Sequence, residues 1–272
     1  MATPVILVTG STDGIGKAAA RALALRGATV IIHGRDEEKC RKVLRDLKES
    51  TGNTDLSFLS ADFIEQQNVR RLAEEVASRY ERLDVLINNA GTCETTRKLT
   101  PEGHETTFQV NYLAPFLLTR LLLPLLEKSA PSRIVNVSSI AHNFHNHIDW
   151  ENLQGEKSFT LYGSYALSKV ANITFTYTLA ERIAGSGVTV TCVHPGVIAT
   201  RLLNTLFPSI IGMPPSEGAK YLVYLALSPE VEGISGQYFN FAEKPGRSSV
   251  LTYDPVVQER LWRVAEELTG LS

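Results

Sequence analysis

The chain has 272 residues, 43% of them hydrophobic, enough to bury one large core without division into separate domains. A net charge of -2 with no basic block gives no electrostatic footprint for nucleic acid or an anionic membrane, so small molecules are the expected partners. Cys40, Cys93 and Cys192 form no CxxC pair, which argues for a reducing compartment and against a metal framework.

The sequence begins Met-Ala-Thr-Pro and enters a strand at once, so neither a signal peptide nor an N-terminal anchor is expected. Val5 to Val8 is followed by Thr9-Gly10-Ser11-Thr12-Asp13-Gly14-Ile15-Gly16 and then an Ala/Leu-rich helical pattern from Lys17 to Arg26. A strand, a glycine turn and a helix in that order let backbone approach a pyrophosphate and aim the helix N-terminus at it. Alone, the spacing Gly-x3-Gly-x-Gly is equally that of an ordinary turn. A second strand, Ala28 to Ile32, leads to His33-Gly34-Arg35-Asp36. At this strand end a carboxylate would bind the ribose of NAD and a guanidinium the extra phosphate of NADP. Arg35 favours NADP(H), with NAD(H) as the alternative, because Asp36 before Glu37 and Glu38 reads more simply as a helix cap. His33 is assigned to packing.

The helix from Asp36 to about Ser50 precedes a third strand, Leu56 to Ala61, which ends at Asp62, either a partner for an adenine amino group or the cap of the helix Glu65 to Tyr80. Leu83 to Ile87 runs into Asn88-Asn89-Ala90-Gly91, whose small residues leave room for a ribose. A long helix is expected from beyond Pro101 to Lys128. It holds Asn111 among apolar residues, as structural glue or as part of a proton path. Within it the apolar stretch Leu113 to Leu126 is interrupted by Arg120 and Pro124 and is judged too short to span a bilayer, so a cytoplasmic protein is expected. Arg133 to Ser138 is a fifth strand with Ser139 at its carboxyl end.

His142, His145 and His147 follow without an accompanying Cys or carboxylate pattern, and no metal is assigned to them. Ser164-Tyr165-Ala166-Leu167-Ser168-Lys169 opens a helix running to Arg182 and puts Tyr165 and Lys169 on one face. A free phenol titrates near ~10, and an adjacent ammonium favours the phenolate, so this pair makes an acid/base. Gly187 to Val193 is the sixth strand, ending in His194-Pro195-Gly196-Val197-Ile198-Ala199-Thr200. The apolar run Leu202 to Ile211 lies among prolines, and the segment 197–216 fits a substrate flap or a subunit contact. Glu217 to Leu227 is a helix and Gly236 to Phe241 the last strand. A tail, 242–272, carries a helix from Asp254-Pro255 with Val257, Leu261, Val264 and Leu268 on one face, expected to dock on the core. Alternating strands and helices predict an α/β doubly wound parallel sheet of about seven strands, with helices on both faces.

In this order and spacing, Thr9-Gly10-x3-Gly14-x-Gly16, Asn88-Asn89-Ala90-Gly91, Asn111, Ser139, Tyr165-x3-Lys169 and Pro195-Gly196 resemble the short-chain dehydrogenase/reductase family over nearly the whole chain. A narrower similarity, to the retinol-dehydrogenase-like branch, rests on Asn111-Tyr-Leu, Pro131 to His142, Asn152 to Lys157 and Ser168 to Asn172. The resemblance implies a single Rossmann-like domain over 1–272 and an oxidoreductase that interconverts an alcohol and a carbonyl on an apolar substrate. It implies Tyr165 as proton donor and acceptor, Lys169 as the residue that lowers its pKa and binds the nicotinamide ribose, Ser139 as the holder of the substrate oxygen, and Asn111 as a water-holding relay. By the same resemblance Gly10, Ser11, Thr12, Gly14, Ile15, Gly16, Arg35, Asp62, Phe63, Asn89, Ala90 and Gly91 hold the cofactor. Tyr165, Lys169, Pro195, Gly196, Val197, Ile198 and Thr200 complete that set. Relatives that pair through the helices around Asn111 and Tyr165 imply a homodimer or homotetramer. An enoyl reductase usually separates its Tyr and Lys by six residues, and here there are three, which favours carbonyl chemistry. A non-enzymatic NADP-binding regulator or scaffold on the same fold is the alternative.

Overall fold

The computed structural model describes residues 3–271. Its centre is a sheet of eight strands in the order β3-β2-β1-β4-β5-β6-β7-β8. These are β1 (Val5–Val8), β2 (Thr29–Gly34), β3 (Leu56–Ser60), β4 (Val85–Asn88), β5 (Ser132–Val137), β6 (Val188–His194), β7 (Gln237–Asn240) and β8 (Pro245–Gly246). All neighbours pair in parallel except β8, a two-residue strand antiparallel to β7 that the sequence does not announce. The helices are α1 (Gly14–Ala24), α2 (Glu37–Thr51), α3 (Gln66–Arg79), α4 (Thr106–Phe108), α5 (Ala114–Lys128), α6 (Leu161–Arg182), α7 (Arg201–Leu206), α8 (Pro215–Leu227) and α9 (Pro255–Thr269).

Alternation along β1 shows why both faces are covered. Val5 and Leu7 join one apolar core with α3, α5, α6 and α9, while Ile6 and Val8 join the other with α1, α2 and α8. The chain leaves β1 toward β2 on one side and returns to β4 on the other, with Val8 opposite both Ile32 and Ile87. Such a reversal opens a crevice outside the carboxyl ends of the strands.

The helix expected up to Lys128 is broken by a π turn, Gln109–Leu113, between α4 and α5. The extra residue in that turn sets Asn111 inward. Thr106–Lys128 as a whole is long and apolar enough to cross a membrane by length and composition, contrary to the shorter stretch read from the sequence, and 78% of its apolar window is buried inside the domain. Its apolar surface serves the core.

The tail helix α9 lies against α6 and the π turn. Trp262, 2% exposed, sits between Phe116 of α5 and Phe175 of α6 with ring centroids at 5.0 and 5.9 Å. Tyr112 donates its hydroxyl to Leu261 O at 2.9 Å, and Arg120 pairs with Glu266 at 3.0 Å. The face of α5 and α6 through which subunit pairing is expected is thus occupied by the chain's own C-terminal helix.

Candidate active site

The crevice is a cleft of about 820 Å³ whose walls come from the carboxyl ends of β1, β2, β4, β5 and β6. Its first wall is the turn after β1. Gly10 has φ +64°, and a Cβ there would lie 2.7 Å from Ala90 Cα; a Cβ on Gly16 would lie 2.3 Å from Gly10 O. Only glycine permits this packing, which brings the N-terminus of α1 to the cleft. Thr9 and Asn89 lock the turn to the end of β4: Thr9 Oγ1 accepts from the Asn89 and Ala90 amides at 2.9 and 3.0 Å, and Asn89 Nδ2 donates to Thr9 O at 2.8 Å. Asp13 caps α1 by accepting from Gly14 N at 2.8 Å.

His33 supports the turn from beneath, accepting from Gly10 N at Nδ1 (3.2 Å), which leaves Nε2 to donate to Ala61 O at 3.1 Å. It stacks on Phe63 at 4.5 Å, and burial pulls its pKa down to about 4. It is a neutral packing residue. Arg35 lines the cleft at the end of β2, and Lys39, one turn into α2, lines the same end. The sequence reading passed over Lys39, although its place four residues after Arg35 was the available signal. The Asp36 carboxylate caps α2 through Lys39 N at 3.0 Å.

Ser139, Tyr165 and Lys169 converge from β5 and α6 on the opposite stretch of the cleft. Tyr165 is 6% exposed and Lys169 4%. The ammonium lies 5.4 Å from the phenol ring centroid, and Lys169 Nζ donates to Val137 O at 3.0 Å. The Ser139 hydroxyl accepts from Ala141 N at 3.2 Å, and its carbonyl accepts from His142 Nδ1 at 2.7 Å. Burial dominates both titrations. It pushes the Tyr165 phenol above its ordinary value, with a hydrogen bond to Ser139 pulling the other way, and draws Lys169 down to about 8. Burial is thus the largest influence on the Tyr165 phenol in this structure, with the Lys169 ammonium beside its ring.

Two expected residues do not reach the cleft. Ser11 is buried, with Oγ donating to Val8 O at 2.8 Å and accepting from His33 N at 2.9 Å, and with its own amide on His33 O at 2.8 Å. It ties β1 to β2. Asn111 accepts from Thr92 N at 2.7 Å and donates to Thr92 O and Ser168 Oγ at 2.9 and 3.0 Å, so its amide pins the loop after β4 to α6. Gly10, Thr12, Gly14, Ile15, Gly16, Asp62, Phe63, Asn89, Ala90, Gly91, Pro195, Gly196, Val197, Ile198 and Thr200 all line the cleft.

The far wall belongs to the segment after β6. Thr200 caps α7 by accepting from Leu203 N at 3.2 Å, and Ala199 N to Met213 O (2.7 Å) and Met213 N to Val197 O (2.8 Å) tie the two ends of the segment together. Leu202, Leu206, Phe207 and Ile210 face the cleft. Tyr162 of α6 meets Phe207 at 5.5 Å and Phe144 at 4.9 Å, making an aromatic edge that sequence reasoning missed. Nothing in the separate runs around positions 144, 162 and 207 marks them as neighbours.

Residues 4–210 match the short chain dehydrogenase family. Human retinol dehydrogenase 11 is 40% identical, with 98% of this chain and 86% of that protein covered. Among solved structures, a protein of Mycobacterium paratuberculosis has a TM-score of 0.82 at 30% identity, covering 99% of this chain and 94% of the other. A short chain dehydrogenase of Shigella flexneri, complexed with NADP, has a TM-score of 0.72 at 30% identity over 88% of this chain and 96% of its own. With its sheet order, its glycine turn and these likenesses, the chain belongs to the short-chain dehydrogenase/reductase family, in the retinol-dehydrogenase-like branch, and is an alcohol/carbonyl oxidoreductase.

Proposed function

We propose that the chain interconverts an alcohol and a carbonyl on an apolar small molecule with NADP(H), Tyr165 serving as general acid/base. The observation that carries this reading is the convergence of Ser139, Tyr165 and Lys169 on a cleft whose other end bears the glycine turn, Arg35 and Lys39. When bound, the nicotinamide supplies or accepts the hydride. The glycine turn fits its pyrophosphate, since a Cβ at Gly10 or Gly16 would strike backbone. In the reducing direction Tyr165 gives its hydroxyl proton to a carbonyl oxygen held by the Ser139 hydroxyl; in the oxidising direction the phenolate takes a proton from the alcohol. Burial keeps the phenol protonated, and protonated Lys169 favours the phenolate that donation leaves.

Two cations at the β2 end support NADP(H) over NAD(H), because a guanidinium and an ammonium together answer a phosphate and have no use for a bare ribose. An apolar substrate is supported by Leu202, Leu206, Phe207 and Ile210. The retinol in the human relative's name is a candidate of that kind. Tyr165→Phe tests the assignment: kcat should fall by ~10²-fold or more while NADPH affinity stays within about twofold. A variant that turned over its best substrate at the wild-type rate would sink it. A wild-type chain that binds NADPH yet reduces no aromatic, long-chain, steroid or retinoid carbonyl would favour the scaffold.

A further inference from the structure

Glu105 is a buried carboxylate that the chemistry above leaves unused. It is 1% exposed, at the start of α4. Oε1 accepts from Thr107 N at 2.8 Å; Oε2 accepts from Phe108 N at 2.8 Å and from the Ser164 hydroxyl at 2.7 Å. Its own amide donates to Gln154 Oε1 at 2.9 Å, and Gln154 O accepts from Arg97 Nε at 2.8 Å. A carboxylate taken out of water must have its lone pairs answered, and these donors answer them.

Capping α4 requires only the two amides. Asp13 and Asp36 cap α1 and α2 from exposed positions, using a single oxygen each. Glu105 differs in being enclosed and in reaching across to a second helix. Ser164 lies in the first turn of α6, next to Tyr165, so one charge stands near the amino ends of both helices, where it is favourable. Thr92 to Asn111 to Ser168 holds α6 beyond Tyr165; the first turn also meets His145, whose Nε2 donates to Gly163 O at 2.9 Å, and the rings of Phe144 and Phe207 around Tyr162, while the Ser164 hydroxyl on Glu105 ties that turn to α4.

We propose that Glu105 is a positioning residue: through Ser164 it fixes the first turn of α6 and hence the place of the Tyr165 hydroxyl relative to Ser139. The inference rests on the acid/base reading of Tyr165. It is tested in the full chain with Glu105→Gln, Ser164→Ala, the double variant and Ser164→Thr, by hydrogen exchange and by steady-state kinetics. Amides of 161–169 should exchange about tenfold faster in Ser164→Ala, with the sheet unchanged and Ser164→Thr close to wild type. In Ser164→Ala and Glu105→Gln kcat should fall about tenfold at unchanged KM for NADPH, and the double variant should fall no further than the worse single one. Losses that multiply in the double variant, or a Ser164→Ala chain indistinguishable from wild type in exchange, overturn the proposal. If Glu105→Gln fails to fold, Ser164→Ala carries the test, since it leaves both α4 amides capped. If the wild-type chain reduces no carbonyl, the acid/base reading fails, and selective loosening of 161–169 still decides whether the strut exists.

Discussion

Lys169 and Tyr165 are enclosed together, and enclosure moves their titrations in opposite directions. For Lys169 the fall from 10.5 to about 8 is a statement about stability. Between those values the unfolded chain binds a proton that the folded chain does not, so stability rises with pH across the window; below about 8 both states carry the charge and the full burial penalty applies. Lys169→Met should therefore be stabilised over wild type at pH 7 and lose roughly 2 kcal/mol of that advantage by pH 9.5, at about 1.4 kcal/mol per unit. Urea denaturation at the two pH values checks this, and a constant difference would refute it. At the other end of the cleft, Arg35 and Lys39 divide one task. Alanine at both should weaken NADPH binding about 10- to 100-fold and leave NADH almost unaffected, as fluorescence titration would register. The residue types behind these predictions were legible in the sequence, Arg35 by its place after a strand and Tyr165 with Lys169 by their spacing. What was hidden is how burial resolves competing pulls. Ser11 sits in the glycine turn and looks like a ligand, but its hydroxyl is held by two neighbouring strands.

Strands were the most readable elements, because buried β-branched runs between glycines and prolines have few other uses. Helix ends and irregularities were harder to see. The long helix before β5 shows one continuous apolar period, and a single inserted residue at Gln109–Leu113 leaves no mark in such a pattern, although it decides where Asn111 points. The stretch after β6 announced itself as apolar, but its packing partner Tyr162, which meets Phe207, lies far away in the chain. In α9 the sequence displayed the stripe Val257, Leu261, Val264 and Leu268, yet its largest contact is Trp262. Arg182 stacks on that indole at 4.3 Å while Phe116 and Phe175 enclose it. Trp262→Ala should cost about 3–5 kcal/mol of unfolding free energy, measured by denaturant titration, because it empties the space between Phe116 and Phe175. A cost under 1 kcal/mol would mean that α9 is loosely docked.

At the scale of the whole molecule, α9 changes what the family likeness leads one to expect. Helices α5 and α6 would offer their outer faces to a second copy, but those faces meet Trp262, Leu261 and Glu266 of the same chain. The chain should run as a monomer in light scattering at micromolar concentration; a stable dimer would require another surface or the departure of α9. The same enclosure accounts for the apolar helix Thr106–Lys128, whose composition suits a bilayer and whose neighbours are protein.

The segment that closes the far side of the cleft is knotted at its neck by paired amides of Ala199 and Met213. A loop held at both ends by the same pair of residues should open as one unit, so the amides of 200–212 are expected to exchange at a common rate in a hydrogen-exchange experiment, and widely scattered rates would refute this.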